Sequence, residues 1–246
     1  FEPFGVLGGR LAEGEQMHPF GQLHLADRGH DHVVDHVDGH GGQVRNSATA
    51  VVAGAQGVHS AEQVAARPID LLVNNAGFAV GQPFVGGDLA QERRALDVMV
   101  GAVMTLAHEA LPGMVGRGHG AILNVASMTA LTAMGTYAAH KAWVLRFTEG
   151  LAAELAGTGV SATALCPGLV HTGFHAAAGI DETQWKAPLW LDAERVAIDG
   201  LAAVRRGQVI CTPSLRYRSA NAALRLAPRW FVRRMVGPER SGRDPE

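Results

Sequence analysis

The chain is predicted to fold as a doubly wound parallel α/β sheet in a single domain. Three observations predict it. Short, continuous apolar runs stopped by Gly, Pro or Asn read as strands buried on both faces. Stretches rich in Ala and Leu lie between them with apolar residues at helical spacing. The two kinds of segment alternate, as βαβ units require. The length of 246 residues suits one large domain, and a hydrophobic fraction of 47% can supply its core.

No element is assigned before residue 30. "DHVVDHV" (31–37) and "VRNSATAVVAG" (44–54) each contain a weak strand. "PIDLLVNNAG" (68–77) carries a strand over Ile69 to Val73, stopped by the two asparagines and Gly77. Residues 92–114 place Leu96, Val100, Val103, Ala107 and Leu111 on one helical face, with Gly113 and Gly116 expected to end the helix. "GAILNVAS" (120–127) is the next strand, with Ser127 at its C-terminal edge. A helix over 137–156 stops near Gly157 and Gly159. "VSATALCPG" (160–168) is a strand turned by Pro167-Gly168, residues 194–205 are helical, and "GQVICTP" (207–213) is a last short strand. Residues 1–60 are thus an atypical part, 68–215 a well-patterned part and 216–246 a basic tail.

Bulk properties narrow the partners. A net charge of -2 excludes a nucleic-acid footprint spread over the chain. Cys166 and Cys211, the two cysteines, are distant in sequence and lack metal-ligand spacing, so a reduced, cytoplasmic setting is expected. No signal peptide is visible, and no stretch reads as apolar enough for long enough to span a bilayer.

Ligands of doubly wound sheets bind beyond the C-terminal ends of the strands. Asn74, Ser127 and Pro167 all fall at such ends. Tyr137 and Lys141 are neighbours on one helical face. A nearby ammonium favours phenolate, so the pair could exchange a proton with a carbonyl or hydroxyl oxygen. Ser127 could hydrogen-bond the same oxygen. Gly77 permits close approach of backbone to a ligand, and Pro167-Gly168 turns the chain so that Val170 and Thr172 meet the cleft. Each feature alone reads more simply as a turn, a cap or a core contact.

Together, "NNAG", "NVAS", "YAAHK" and "PGLVHT", in this order, resemble the short-chain dehydrogenase/reductase family over roughly residues 62–236. The resemblance implies a Rossmann-type domain that transfers hydride between NAD or NADP and a small-molecule carbonyl or alcohol. It implies Tyr137 as acid/base, Lys141 as the group that lowers its pKa and holds the nicotinamide ribose, and Ser127 as the group orienting the substrate oxygen. Asn74, Asn75, Ala76 and Gly77 would flank the cofactor. Pro167 and Gly168 would shape its loop, and Val170 with Thr172 would meet the carboxamide. Homo-oligomers built on the helices at 92–114 and 137–156 are also implied.

The sequence departs from that pattern in three places. No Gly-rich TGxxxGxG turn follows a first strand, although "LADRGHD" (25–31) resembles the end of the family's first helix. A shifted reading frame over residues 1–60 is one hypothesis for this, tested by translating the coding DNA in its other frames. Met99 stands where the family has an Asn whose backbone carbonyl holds a water in a helix distortion. The Ser127–Tyr137 segment is short by two or three residues, which predicts that Ser127 falls short of its place. The alternative reading is therefore an impaired or silent scaffold. Asp35 or Asp38 would favour NAD if either caps the second strand. Phe78, Phe174 and Trp185 point to a lipophilic substrate. His30, His32, His36 and His40 are read as a solvated segment, with no metal site expected. The arginine-rich tail is read as packed on the domain edge or a neighbouring subunit, without membrane contact.

Overall fold

A computed structural model describes residues 50–53, 68–172, 174, 185 and 187–236. Five strands form one sheet: β1 (Ala50–Ala53), β2 (Leu71–Asn74), β3 (Gly120–Val125), β4 (Val160–Leu165) and β5 (Ile210–Cys211). They lie in the order β1-β2-β3-β4-β5, every pair parallel. The helices are α1 (Leu89–Leu96), α2 (Ala102–Arg117), α3 (Gly135–Glu154), α4 (Ala193–Arg205), α5 (Leu215–Leu226) and α6 (Arg229–Met235). A π-helical turn, Asp97–Gly101, joins α1 to α2.

Alternation along the strands assigns the faces. Leu72, Ile122 and Ala162 pack with Leu106, Ala110 and Met114 of α2 and Leu151 of α3. Leu123 and Leu165, one residue out of phase, pack with Val196 and Ala203 of α4. Helices therefore cover both faces, as a doubly wound sheet requires. Leu106, Met114 and Ile122 are completely enclosed, and each such side chain contributes about 1.5–3 kcal/mol by leaving water.

Several sequence boundaries move. The second strand starts at Leu71, and Ile69 is buried just before it. The weak strand in 44–54 is β1, while "DHVVDHV", Asp35, Asp38 and the His30–His40 cluster lie outside the described residues. Among those described, no group of His, Cys, Asp and Glu is arranged for a metal. Gly113 and Gly116 do not end α2, which continues to Arg117. Gly118 ends it instead, at φ +73, returning its N–H to Met114 and Val115 as a left-handed cap does.

One sequence expectation is overturned. The helical run Leu89–Arg117 has the length and mean hydropathy, 1.4, of a membrane span. One face of it, with Val103, Leu106, Ala107, Ala110 and Met114, is buried against the sheet, while Leu96, Met104 and Val115 stand exposed. The two cysteines also change status. Distant in sequence, they meet where the Cys166 N–H donates to the Cys211 carbonyl at 2.7 Å, both thiols free and buried.

Candidate active site

Two strand-end loops are tied together above the sheet. The N–H of Ala126 donates to Leu165 O at 2.8 Å, and that of Met128 to Pro167 O at 2.9 Å. Ser127 caps a 3-10 turn, Met128–Leu131, by accepting the Thr129 N–H at 3.1 Å. That turn spans the short connection to α3, and Ser127 and Tyr137 line the same cleft, close enough for the serine hydroxyl to pull the Tyr137 pKa down.

Tyr137 and Lys141 occupy the first turns of α3. The Tyr137 ring tilts against Phe174, centroids 5.4 Å apart, and abuts the Val80, Ala95 and Met99 cluster. Burial raises its pKa far above the usual phenol value, and the Ser127 hydrogen bond only partly opposes this. Lys141 is 4% exposed, and burial lowers its pKa to about 8 while the neighbouring Cys166 raises it. Its Nζ donates to Val125 O at 2.7 Å and lies 5.8 Å from the Tyr137 ring centroid. Burial outweighs the pull of the Lys141 ammonium on the phenol proton. The ammonium turns to a backbone carbonyl, and desolvation dominates.

The π-turn Asp97–Gly101 places buried Met99 beside this lysine. A Cβ built on Gly77 would meet Lys141 Nζ at 3.2 Å and Met99 Sδ at 3.4 Å. The helix distortion associated with the family's Asn is therefore present with Met in its place.

These groups open into a cleft of about 470 Å³ lined by Ser127, Tyr137, Lys141, Asn75 and Gly77. Pro167, Gly168, Val170 and Thr172 form its other wall. Val170 is fixed by a parallel bridge to Leu191, and Thr172 Oγ1 accepts the Phe174 N–H at 3.2 Å. Asn74 and Ala76 do not line it. Asn74 Nδ2 donates to Asn124 Oδ1 at 2.8 Å, and Asn124 Nδ2 to Thr148 Oγ1 at 2.9 Å, so this asparagine ties β2 to β3 and α3. Phe174 and Trp185 line the cleft, whereas Phe78 packs with the Met99 cluster.

Sequence reasoning missed the contribution of the C-terminal helices. Tyr217 and Leu224 of α5, with Val236 after α6, complete the wall. Tyr217 Oη donates to Leu189 O at 2.6 Å and accepts the Leu169 N–H at 3.1 Å. Its ring lies so close to Gly168 that an added Cβ would sit 2.0 Å from it. Only glycine fits there, and an aromatic residue downstream of a strand-end Pro-Gly is the one signal that could have been sought.

A parallel sheet covered on both faces, with polar side chains gathered in a cleft at its strand ends, defines a Rossmann-type α/β protein with a small-molecule site. The family model for short chain dehydrogenases matches residues 25–183, more than half of the chain. The chain belongs to the short-chain dehydrogenase/reductase family. The match begins at "LADRGHD", the segment that resembles the end of the family's first helix, and ends at residue 183, short of the 236 that the motifs suggested. Ketoacyl reductase HetN of a Nostoc species is 37% identical over 106 residues, covering 42% of this chain and 37% of the relative. An uncharacterized oxidoreductase of Staphylococcus saprophyticus is 33% identical over 141 residues, covering 56% and 58%. The chain thus spans from about a third to three fifths of the length of these curated relatives. A short-chain dehydrogenase from Sphingobium yanoikuyae, solved in complex with NADPH, superposes with a TM-score of 0.61 at 27% identity. That alignment covers 70% of this chain and 69% of the other.

Proposed function

We propose that this protein is an NAD(P)-dependent oxidoreductase that reduces a lipophilic ketone or aldehyde to the alcohol. The observation that carries the reading is the meeting of Ser127, Tyr137 and Lys141 in one cleft, with the phenol ring buried against Phe174. A protonated phenol is an acid, and ketone reduction needs an acid at the developing alkoxide. Ser127 is placed to donate a second hydrogen bond to the same oxygen. Met128, Met134, Phe174 and Leu224 give the remaining wall an apolar character that favours a substrate with a hydrophobic arm.

The nicotinamide end of a dinucleotide fits the residues present. Lys141 spends one N–H on Val125 O, so two remain for a ribose diol. Asn75, Gly77, Val170 and Thr172 border the same space. When bound, the nicotinamide supplies the hydride. The chain's own part is to hold the substrate oxygen between Ser127 and Tyr137 and to deliver the proton from Tyr137 Oη. Lys141, retaining most of its charge at neutral pH, stabilises the phenolate left behind. The NADPH complex of the Sphingobium protein supports NADP as the first cofactor to try.

A catalytically silent scaffold is the second reading, favoured by Met99 and by the turn of Lys141 toward Val125. Following NADPH absorbance against a series of ketones of increasing size tests both. Ketone-dependent oxidation that rises with apolar bulk supports the reductase. Saturable NADPH binding without any turnover supports the scaffold.

A further inference from the structure

The C-terminal helices leave a surface that the cleft chemistry does not explain. Residues 215–236 contain six arginines and no acidic residue. Five of the fifteen large hydrophobic side chains that stand exposed among the described residues lie on α5 and α6, so the enrichment is local. Leu226 is 87% exposed and Trp230 63%. Trp230 and Phe231 meet edge-on, centroids 5.9 Å apart, and form one apolar projection.

This surface is held in place from its inner side. Val232 is fully buried, and Asn221 Nδ2 donates to Thr212 Oγ1 at 2.8 Å. An Arg229 N–H reaches Leu131 O at 3.2 Å, and the Ala133 N–H donates to Val236 O at 3.1 Å. Packing on the domain edge, the expectation from sequence, thus accounts for Val232 and Asn221 but leaves Leu226, Trp230 and Phe231 uncovered.

We propose that the outer face of α5 and α6 docks on an anionic lipid surface. Aromatic and aliphatic side chains interleaved with arginines suit the boundary between headgroups and acyl chains. Arginine near an anionic leaflet gains from its surface potential, strongest at cytoplasmic membranes. A second copy of the chain fits less well. A two-fold contact would set this patch against itself and place arginines opposite arginines. The same helices contribute Tyr217, Leu224 and Val236 to the cleft, so docking brings an apolar pocket next to a source of apolar substrate. The surface itself does not depend on turnover, and its test is binding alone.

The test is co-sedimentation of the full chain with vesicles of phosphatidylcholine, alone or with roughly one quarter phosphatidylglycerol. The expected result is at least about tenfold stronger binding to the anionic vesicles, weakening as salt is raised. Trp230→Ala/Phe231→Ala and Arg233→Gln/Arg234→Gln change only exposed side chains. Each double variant is expected to lose about tenfold or more in binding while keeping its circular dichroism; if one misfolds, the other decides. No binding, or equal binding to both vesicles, overturns the proposal. So does a concentration-dependent dimer in sedimentation velocity that Trp230→Ala/Phe231→Ala dissolves, since a second copy would then cover the face.

Discussion

Replacing Lys141 by methionine separates what the lysine costs the fold from what it does for a ligand. Burial depresses its pKa from the usual 10.5 to about 8. A fall of that size corresponds to roughly 3 kcal/mol of folding free energy. The folded chain binds this proton less tightly than the unfolded chain does. The cost is therefore complete below about pH 8 and is relieved as pH rises from about 8 to 10.5. Methionine removes the charge at similar volume but leaves the Val125 carbonyl without its 2.7 Å donor, a loss of about 1–3 kcal/mol. At pH 7 the variant should therefore be as stable as the parent or up to about 2 kcal/mol more so. The pH dependence is sharper, because the stranded carbonyl does not titrate and cancels from it. Between pH 7 and 10.5 the parent should gain about 3 kcal/mol on the variant, read from urea unfolding of both proteins at each pH. A difference independent of pH would refute the buried-charge reasoning.

Other consequences follow from the same contacts. Asn124→Ala strands Asn74 Nδ2 and removes a donor to Thr148, so urea unfolding should show a loss of about 2–4 kcal/mol, with the cleft residues unaltered. Tyr217→Phe deletes the bonds to Leu169 and Leu189 but keeps the ring over Gly168; stability should fall by about 1–2 kcal/mol, and KM for bulky ketones should rise more than kcat falls. Reduction should weaken as pH rises through about 8, where Lys141 gives up its charge, and a kcat/KM profile flat to pH 10 would deny the ammonium a part in the reaction.

Much of the site was legible in the sequence because its signals are local. A phenol and an amine four residues apart must share a helical face, and a hydroxyl at the end of a buried strand must emerge at the sheet edge. The arrangement of Ser127, Tyr137, Lys141 and the Pro167–Thr172 loop follows from those spacings. What was not legible depends on partners distant in sequence or on the backbone itself. The acceptor for Lys141 is a carbonyl at the end of β3, and any residue type at 125 would present one. The π-turn at Asp97–Gly101 is a shift in helical register; the sequence shows only Met99. Tyr217 meets Leu169 across 48 residues, and nothing periodic marks it. The inward turn of Asn74, away from the cleft lining, was not legible for a related reason. Its partner Asn124 is in register with it on β3, which turns the first asparagine of "NNAG" inward.

Tyr137→Phe tests the central claim most directly. The ring and its contact with Phe174 survive, and only the hydroxyl is lost. The account predicts that NADPH binding, followed by fluorescence titration, stays within about twofold of the parent, while single-turnover ketone reduction falls by at least about a hundredfold. Undiminished reduction by the variant would contradict it, because the proton would then come from elsewhere.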